Sequence, residues 1–138
     1  MPILYETQAC HFNYPGKRAT TEWIRRTAAS EGRKTGDISV VFCSDEALLA
    51  INRQYLQHDY LTDIITFDYS EGETISGDLM ISIDTVRSNA ELYGVSFRDE
   101  LMRVIIHGIL HLCGYGDKTP DEEKQMHALE DKYLAIRE

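Results

Sequence analysis

The chain is poor in cysteine. Cys10, Cys43 and Cys113 are the only three in 138 residues, an odd number, widely spaced and without a CxxC pair. Such usage argues against a disulfide framework and for a reducing compartment, with the cytoplasm as the default. Long apolar runs are missing too, and no stretch approaches the roughly 20 residues that a membrane helix needs. The opening "MPILYETQACHFNYPGKR" lacks a basic stretch followed by an apolar one, so no secretory leader is expected. There are no repeats, low-complexity tracts or linkers, and the length suits a single domain over 1–138 that can bury a core. Positive charge is scarce: 14 Lys and Arg face 23 Asp and Glu, a formal net charge of −9. An acidic chain is not an obvious nucleic-acid binder, because phosphate contacts need local positive charge.

The basic residues that exist are unevenly placed. Residues 1–34 hold six of them against three acidic ones, so this segment carries +3 and the rest of the chain −12. Arg18, Arg25, Arg26, Arg33 and Lys34 are the candidates for phosphate contacts. On charge alone, a solvated helix face is the plainer reading of them.

Hydrophobic patterning predicts the order βαβαββααα. "ILYETQACHF" alternates as a strand does. "TTEWIRRTAASEG" predicts a helix capped by Thr20 or Thr21 and stopped at Gly32. "DISVVFCS" is β-branched and apolar, a buried strand, and Ser44 caps the following helix "DEALLAINRQYLQ". "TDIITFDY" and "GDLMISI" predict two more strands, and Asp84 is placed to cap a helix that ends at Gly94. Ser96, with Asp99 three residues on, opens the helix "FRDELMRVIIHGILHLC"; Thr119, Pro120 and Glu122 open the last one. The expected fold class is α+β: a small four-stranded mixed sheet packed with about five helices.

One stretch carries chemistry: "HGILHLCGYGD", residues 107–117. His107 and His111 stand at i and i+4, on one face of a helix, so their imidazoles can converge on one ion. A catalytic zinc site needs three protein ligands and an open position. Gly114 can take the left-handed conformation that turns the chain back, bringing Asp117 as the third ligand. The pattern HxxxHxxGxxD resembles the extended zinc motif of metzincin-like enzymes, with aspartate for their third histidine. A nitrogen and oxygen donor set suits one Zn2+, and also accommodates Mn2+, Ni2+ or Fe2+. Gly108 stands where HExxH peptidases carry their general base, which argues against peptide hydrolysis. Phosphodiesters, whose oxygens bind a metal directly, fit an ion that activates a water without that glutamate.

"HGILHLCGYGD" resembles the HGxLHLxGYDH signature of the YbeY family of bacterial metal-dependent endoribonucleases. "INRQYLQHDYLTDIITF" (51–67) resembles the family's LNxxYRxxDxPTDVLSF, and "SGDLMIS" (76–82) its GDIxIS strand, so three motifs match in the family's order over residues 37–118. The resemblance implies a small mixed sheet with helices around it and the metal helix at a cleft. It implies that His107, His111 and Asp117 hold zinc and that no general base is assignable by residue. It further implies late processing of the 3′ end of small-subunit (16S) ribosomal RNA, with ribosomal RNA and ribosomal or assembly proteins as partners. Asp59, Thr62 and Asp63 match family positions. The chain departs from the pattern at Leu56, where the family has an arginine suited to a phosphate, at Leu61 and Asp68, where it has prolines, and at Asp117 itself. The arginine's absence motivates an alternative: a ribosome-associated RNA-binding or assembly factor with a structural metal. A zinc metallopeptidase is the third reading, disfavoured by Gly108.

Overall fold

The computed structural model describes residues 3–56 and 62–137. Nine elements follow one another: β1 (Ile3–Gln8), α1 (Lys17–Ser30), β2 (Lys34–Cys43), α2 (Asp45–Leu56), β3 (Ile64–Asp68), β4 (Thr74–Ser82), α3 (Ile83–Tyr93), α4 (Phe97–Leu112) and α5 (Pro120–Leu134). This is the α+β order that the hydrophobic periods indicate, with a four-stranded mixed sheet and five helices. His58, Asp59 and Leu61, which the sequence comparison with the family singled out, lie outside the described residues.

The sheet runs β1-β2-β4-β3. β1 and β4 flank β2 in parallel, and only β3 is antiparallel, pairing β4 in the register Ile64↔Ile81. A parallel pair needs a crossover helix, and α1 supplies it between β1 and β2. Side chains alternate across the strands. Ile38, Val40 and Phe42 of β2 join Ile75, Leu79 and Ile81 of β4 in the larger core, which also takes residues of α1, α3, α4 and α5. Val41, Cys43 and Met80 point the other way and meet Leu48 of α2.

α4 is the central helix. Ten of its sixteen residues are buried, so it reads as apolar nearly all round, the signature of a helix inside a core. Beyond its first turn its polar side chains share a stripe with Glu100: Arg103, His107 and His111 follow it at spacings of three and four residues. That stripe faces α5 and the cleft. Gly108 is needed on the opposite side. A Cβ there would lie 2.8 Å from Cδ2 of Leu79 and 2.9 Å from Cδ1 of Ile64, so the helix sits closer to the sheet than any side chain would allow.

Several helix starts differ from the sequence expectation. α1 begins at Lys17, with Gly16 as its N-cap at φ 84. Thr20 and Thr21 lie inside the helix, where aromatic hydroxyls take them: Thr20 pairs with Tyr14 at 2.6 Å and Thr21 with Tyr5 at 2.9 Å. Ser82, not Asp84, caps α3 by accepting from Thr85 N. The Asp84 carboxylate is instead used by the first backbone amide of α2, Asp45 N, at 2.9 Å. β1 stops at Gln8 because Ala9 turns at φ 58. Ser44, Ser96 and the Thr119–Glu122 capping box stand as expected.

Candidate metal centre and cleft

The residues that close the site come from one helix and the loop after it. α4 carries His107 and His111 one turn apart. Gly114 follows its C-cap at φ 102, a left-handed conformation that side chains rarely adopt. The reversal is pinned from several sides. Tyr115 N bonds to Leu110 O at 3.1 Å. Arg33 Nη2 donates to Cys113 O at 3.0 Å. Glu31 accepts the hydroxyls of both Tyr115, at 2.5 Å, and Tyr133. The loop thus brings Asp117 back over the end of the helix.

Three donor atoms converge there. His107 Nε2 and His111 Nε2 are 2.9 Å apart, and Asp117 Oδ2 lies 3.1 and 3.3 Å from them. The other ring nitrogens decide what these atoms can be. His111 Nδ1 is 2.8 Å from the Tyr115 carbonyl, and His107 Nδ1 is 2.7 Å from Glu130 Oε2. A carbonyl and a carboxylate only accept, so both Nδ1 atoms carry the proton and both Nε2 atoms present lone pairs. Two lone pairs and a carboxylate oxygen face one another within 3.3 Å. Such acceptors tolerate that approach only with positive charge between them. Zn2+ bound tetrahedrally at about 2.0–2.1 Å holds its ligand atoms roughly 3.3 Å apart, so this donor set fits a zinc-sized ion.

Electrostatics around the site are dominated by buried acids. Burial alone would raise the Glu130 carboxyl, but hydrogen bonds from His107 and Arg103 outweigh it and hold it below the usual range. Glu130, Asp117 and Asp63 surround His107 with negative charge, which favours a cation at this point of the cleft. Asp63 and Glu100 both sit high, each mainly through burial. Two open clefts meet at His107, Asp117 and Asp63. One runs along α4 and α5 past Arg103 and Arg137. The other is lined by Asn52, Leu56, Thr62, Thr66 and Asp68, with no Lys or Arg among its described lining residues.

The structure brings together all three sequence-predicted metal ligands. It also puts Leu56 at the cleft wall, 42% exposed, on the same side as His111. Two of the five basic candidates bond backbone carbonyls. Arg26 donates to Ile136 O and Arg33 to Gly72 O and Cys113 O. Arg18, Arg25 and Lys34 are exposed along and after α1. Sequence reasoning missed Glu130, which reaches His107 from α5. The available signal was an acid at i+4 from Met126 and i−3 from Tyr133, both buried core positions of that helix. It also missed Glu31, for which the local sequence carries no signal.

Residues 5–137 match the family model described as endoribonuclease YbeY. A protein of Bacteroides thetaiotaomicron named endoribonuclease YbeY is 57% identical over 137 residues, covering 99% of this chain and 100% of that one. One of Parabacteroides distasonis with the same name is 56% identical, covering 99% and 96%. A solution structure of a Thermotoga maritima protein superposes with a TM-score of 0.69 at 25% identity, covering 99% of this chain and 89% of that one.

Proposed function

The chain belongs to the endoribonuclease YbeY family, and we propose that its cleft hydrolyses phosphodiester bonds of ribosomal RNA precursors, late in processing at the 3′ end of small-subunit 16S rRNA. The observation that carries this reading is the convergence of His107 Nε2, His111 Nε2 and Asp117 Oδ2 at the meeting point of two open clefts. Those three side chains would hold one Zn2+. When bound, the ion supplies positive charge to a phosphodiester oxygen and acidifies water. Among the described residues three ligands converge, and a three-ligand site suits a catalytic ion, since structural sites are closed by four. Gly108 supports the same side of the argument: position 108 faces Leu79 and Ile64, so no residue there could serve as a peptidase base.

The chain's own groups take the remaining roles. Asp63 lines both clefts, and burial favours its neutral form. We assign it the role of holding or releasing a proton beside the reacting phosphate. Arg18, Arg25, Arg26, Arg33 and Lys34 contact RNA phosphates; Arg26 and Arg33 retain N–H donors after bonding backbone carbonyls. The whole of 1–138 works as one domain in the cytoplasm, with ribosomal or assembly proteins bringing it to its substrate. No helix among the described residues is long and apolar enough to cross a membrane.

The test is cleavage of a structured precursor RNA by zinc-loaded protein beside a His111→Ala variant. The parent is expected to cut and the variant not. Equal cutting by both would assign the activity to a contaminant, and the proposed site would be wrong.

A further inference from the structure

We infer that Arg103 and Glu130 form a positioning pair that fixes His107 as a metal ligand. Glu130 is a carboxylate only 3% exposed, carried on α5, 23 residues from the histidine it serves. Its Oε2 takes the His107 Nδ1 proton at 2.7 Å. Its Oε1 takes Arg103 Nη1 at 2.8 Å. The other prong of the same guanidinium reaches Asp131 Oδ1 at 2.7 Å. One arginine therefore clasps two neighbouring acids of α5, and the inner acid clasps the histidine one turn along α4.

Each member answers a need of the others. A buried carboxylate without compensation is strongly disfavoured, and Arg103 supplies the opposite charge. An imidazole on a helix face can rotate and can carry its proton on either nitrogen. The carboxylate removes both freedoms, because it accepts only and accepts from one direction. His111 is held differently, by the neutral Tyr115 carbonyl. The two ligands thus have separate anchors, and only that of His107 depends on Arg103 and Glu130. Arg103 lines the cleft, but both of its forked amino groups are engaged by acids, which marks it as a holder of Glu130 rather than a phosphate contact.

The inference rests on the metal-holding reading of the cleft and is independent of RNA cleavage. The experiment measures zinc affinity by competition with a chromogenic chelator, for the parent, for Glu130→Gln and Arg103→Lys, and for Lys124→Ala, an exposed control on α5. Glu130→Gln is expected to weaken zinc by about 10–100-fold, the usual effect of losing such an outer partner. Lys124→Ala is expected to leave affinity unchanged. Proton NMR of the zinc-loaded protein supplies the second readout. The parent should show two solvent-protected imidazole Nδ1 protons, and Glu130→Gln should move that of His107 and leave that of His111 in place. A general loosening of the fold would move both. Should Glu130→Gln fail to fold, Arg103→Lys carries the test, since a lysine keeps the charge but cannot bridge two acids; it too should weaken zinc and move the His107 resonance. Unchanged affinity, or an unmoved His107 proton, in the folded variant overturns the inference alone. A parent that binds no zinc overturns it together with the metal reading.

Discussion

The Tyr115 carbonyl lies 2.8 Å from Nδ1 of His111, four residues earlier in the chain. This bond joins the end of the metal helix to the loop that returns Asp117, so one turn of backbone both orients a ligand and delivers the next. The reversal at Gly114 makes it possible. The ligand set should therefore behave as a unit, and removing any one member should cost most of the ion's affinity.

Asp117→Ala is expected to lose stoichiometric zinc, measured by metal analysis after dialysis. Asp117→His should keep it and bind Zn2+ more tightly, because imidazole is the softer ligand. Asp117→Ala that retains zinc as tightly as the parent would remove Asp117 from the ligand set.

The cleft wall at Leu56 has no cation among its described lining residues. Introducing one should help an anionic substrate. Leu56→Arg is expected to raise kcat/KM for RNA cleavage by about tenfold, the worth of one well-placed charge-assisted contact. Zinc affinity should not change. A rate at or below that of the parent would show that the leucine is not a deficit.

Gly108 packs α4 onto Leu79 and Ile64. Gly108→Ala should destabilise the fold by about 1–3 kcal/mol, the usual effect of overpacking, read from denaturant unfolding of the metal-free protein. Gly108→Glu should do worse and confer no peptidase activity, since the side chain would enter the core rather than the cleft.

Glu100 is buried beside Asp63 and Glu130, and burial is the main reason its carboxyl sits high. A carboxyl raised in the folded state stabilises the fold fully only below its unfolded value of 4.5, and that contribution is lost as pH rises through the folded value. Glu100→Gln should therefore melt higher than the parent near neutral pH, by a few degrees. The difference should vanish as pH falls below the ordinary glutamate value. A variant that melts lower at neutral pH would show that the Arg103 charge outweighs the burial.

The basic residues of α1 and its exit can be sorted by salt dependence. Neutralising Arg18, Arg25 and Lys34 together should weaken RNA binding and flatten its salt slope by roughly one unit per lost phosphate contact. Arg33→Ala should act mainly on the metal loop through Cys113. Its effect should appear in zinc affinity as well as in RNA binding. An unchanged slope in the triple variant would return these three residues to a solvated face.

Much of this architecture is written locally in the chain. Periodicity and capping residues place all nine elements in order, because strand and helix periods and Ser, Thr and Gly punctuation act over a few residues. His107, His111 and Asp117 were legible for the same reason: helical spacing and one glycine determine their geometry locally. The exact helix starts were not. α1 starts earlier, at Lys17 after Gly16, so that Thr20 and Thr21 meet Tyr14 and Tyr5 from inside the helix. Nor could the sequence show that Glu130 holds His107, that Glu31 and Arg33 tie down the metal loop, or that Gly108 is a contact with Leu79. These are meetings of residues 23 to 102 positions apart along the chain. Only the packing of α1, α4 and α5 on the sheet decides them, because a hydrogen bond or a close contact depends on where two backbones cross and leaves no trace in the spacing of either.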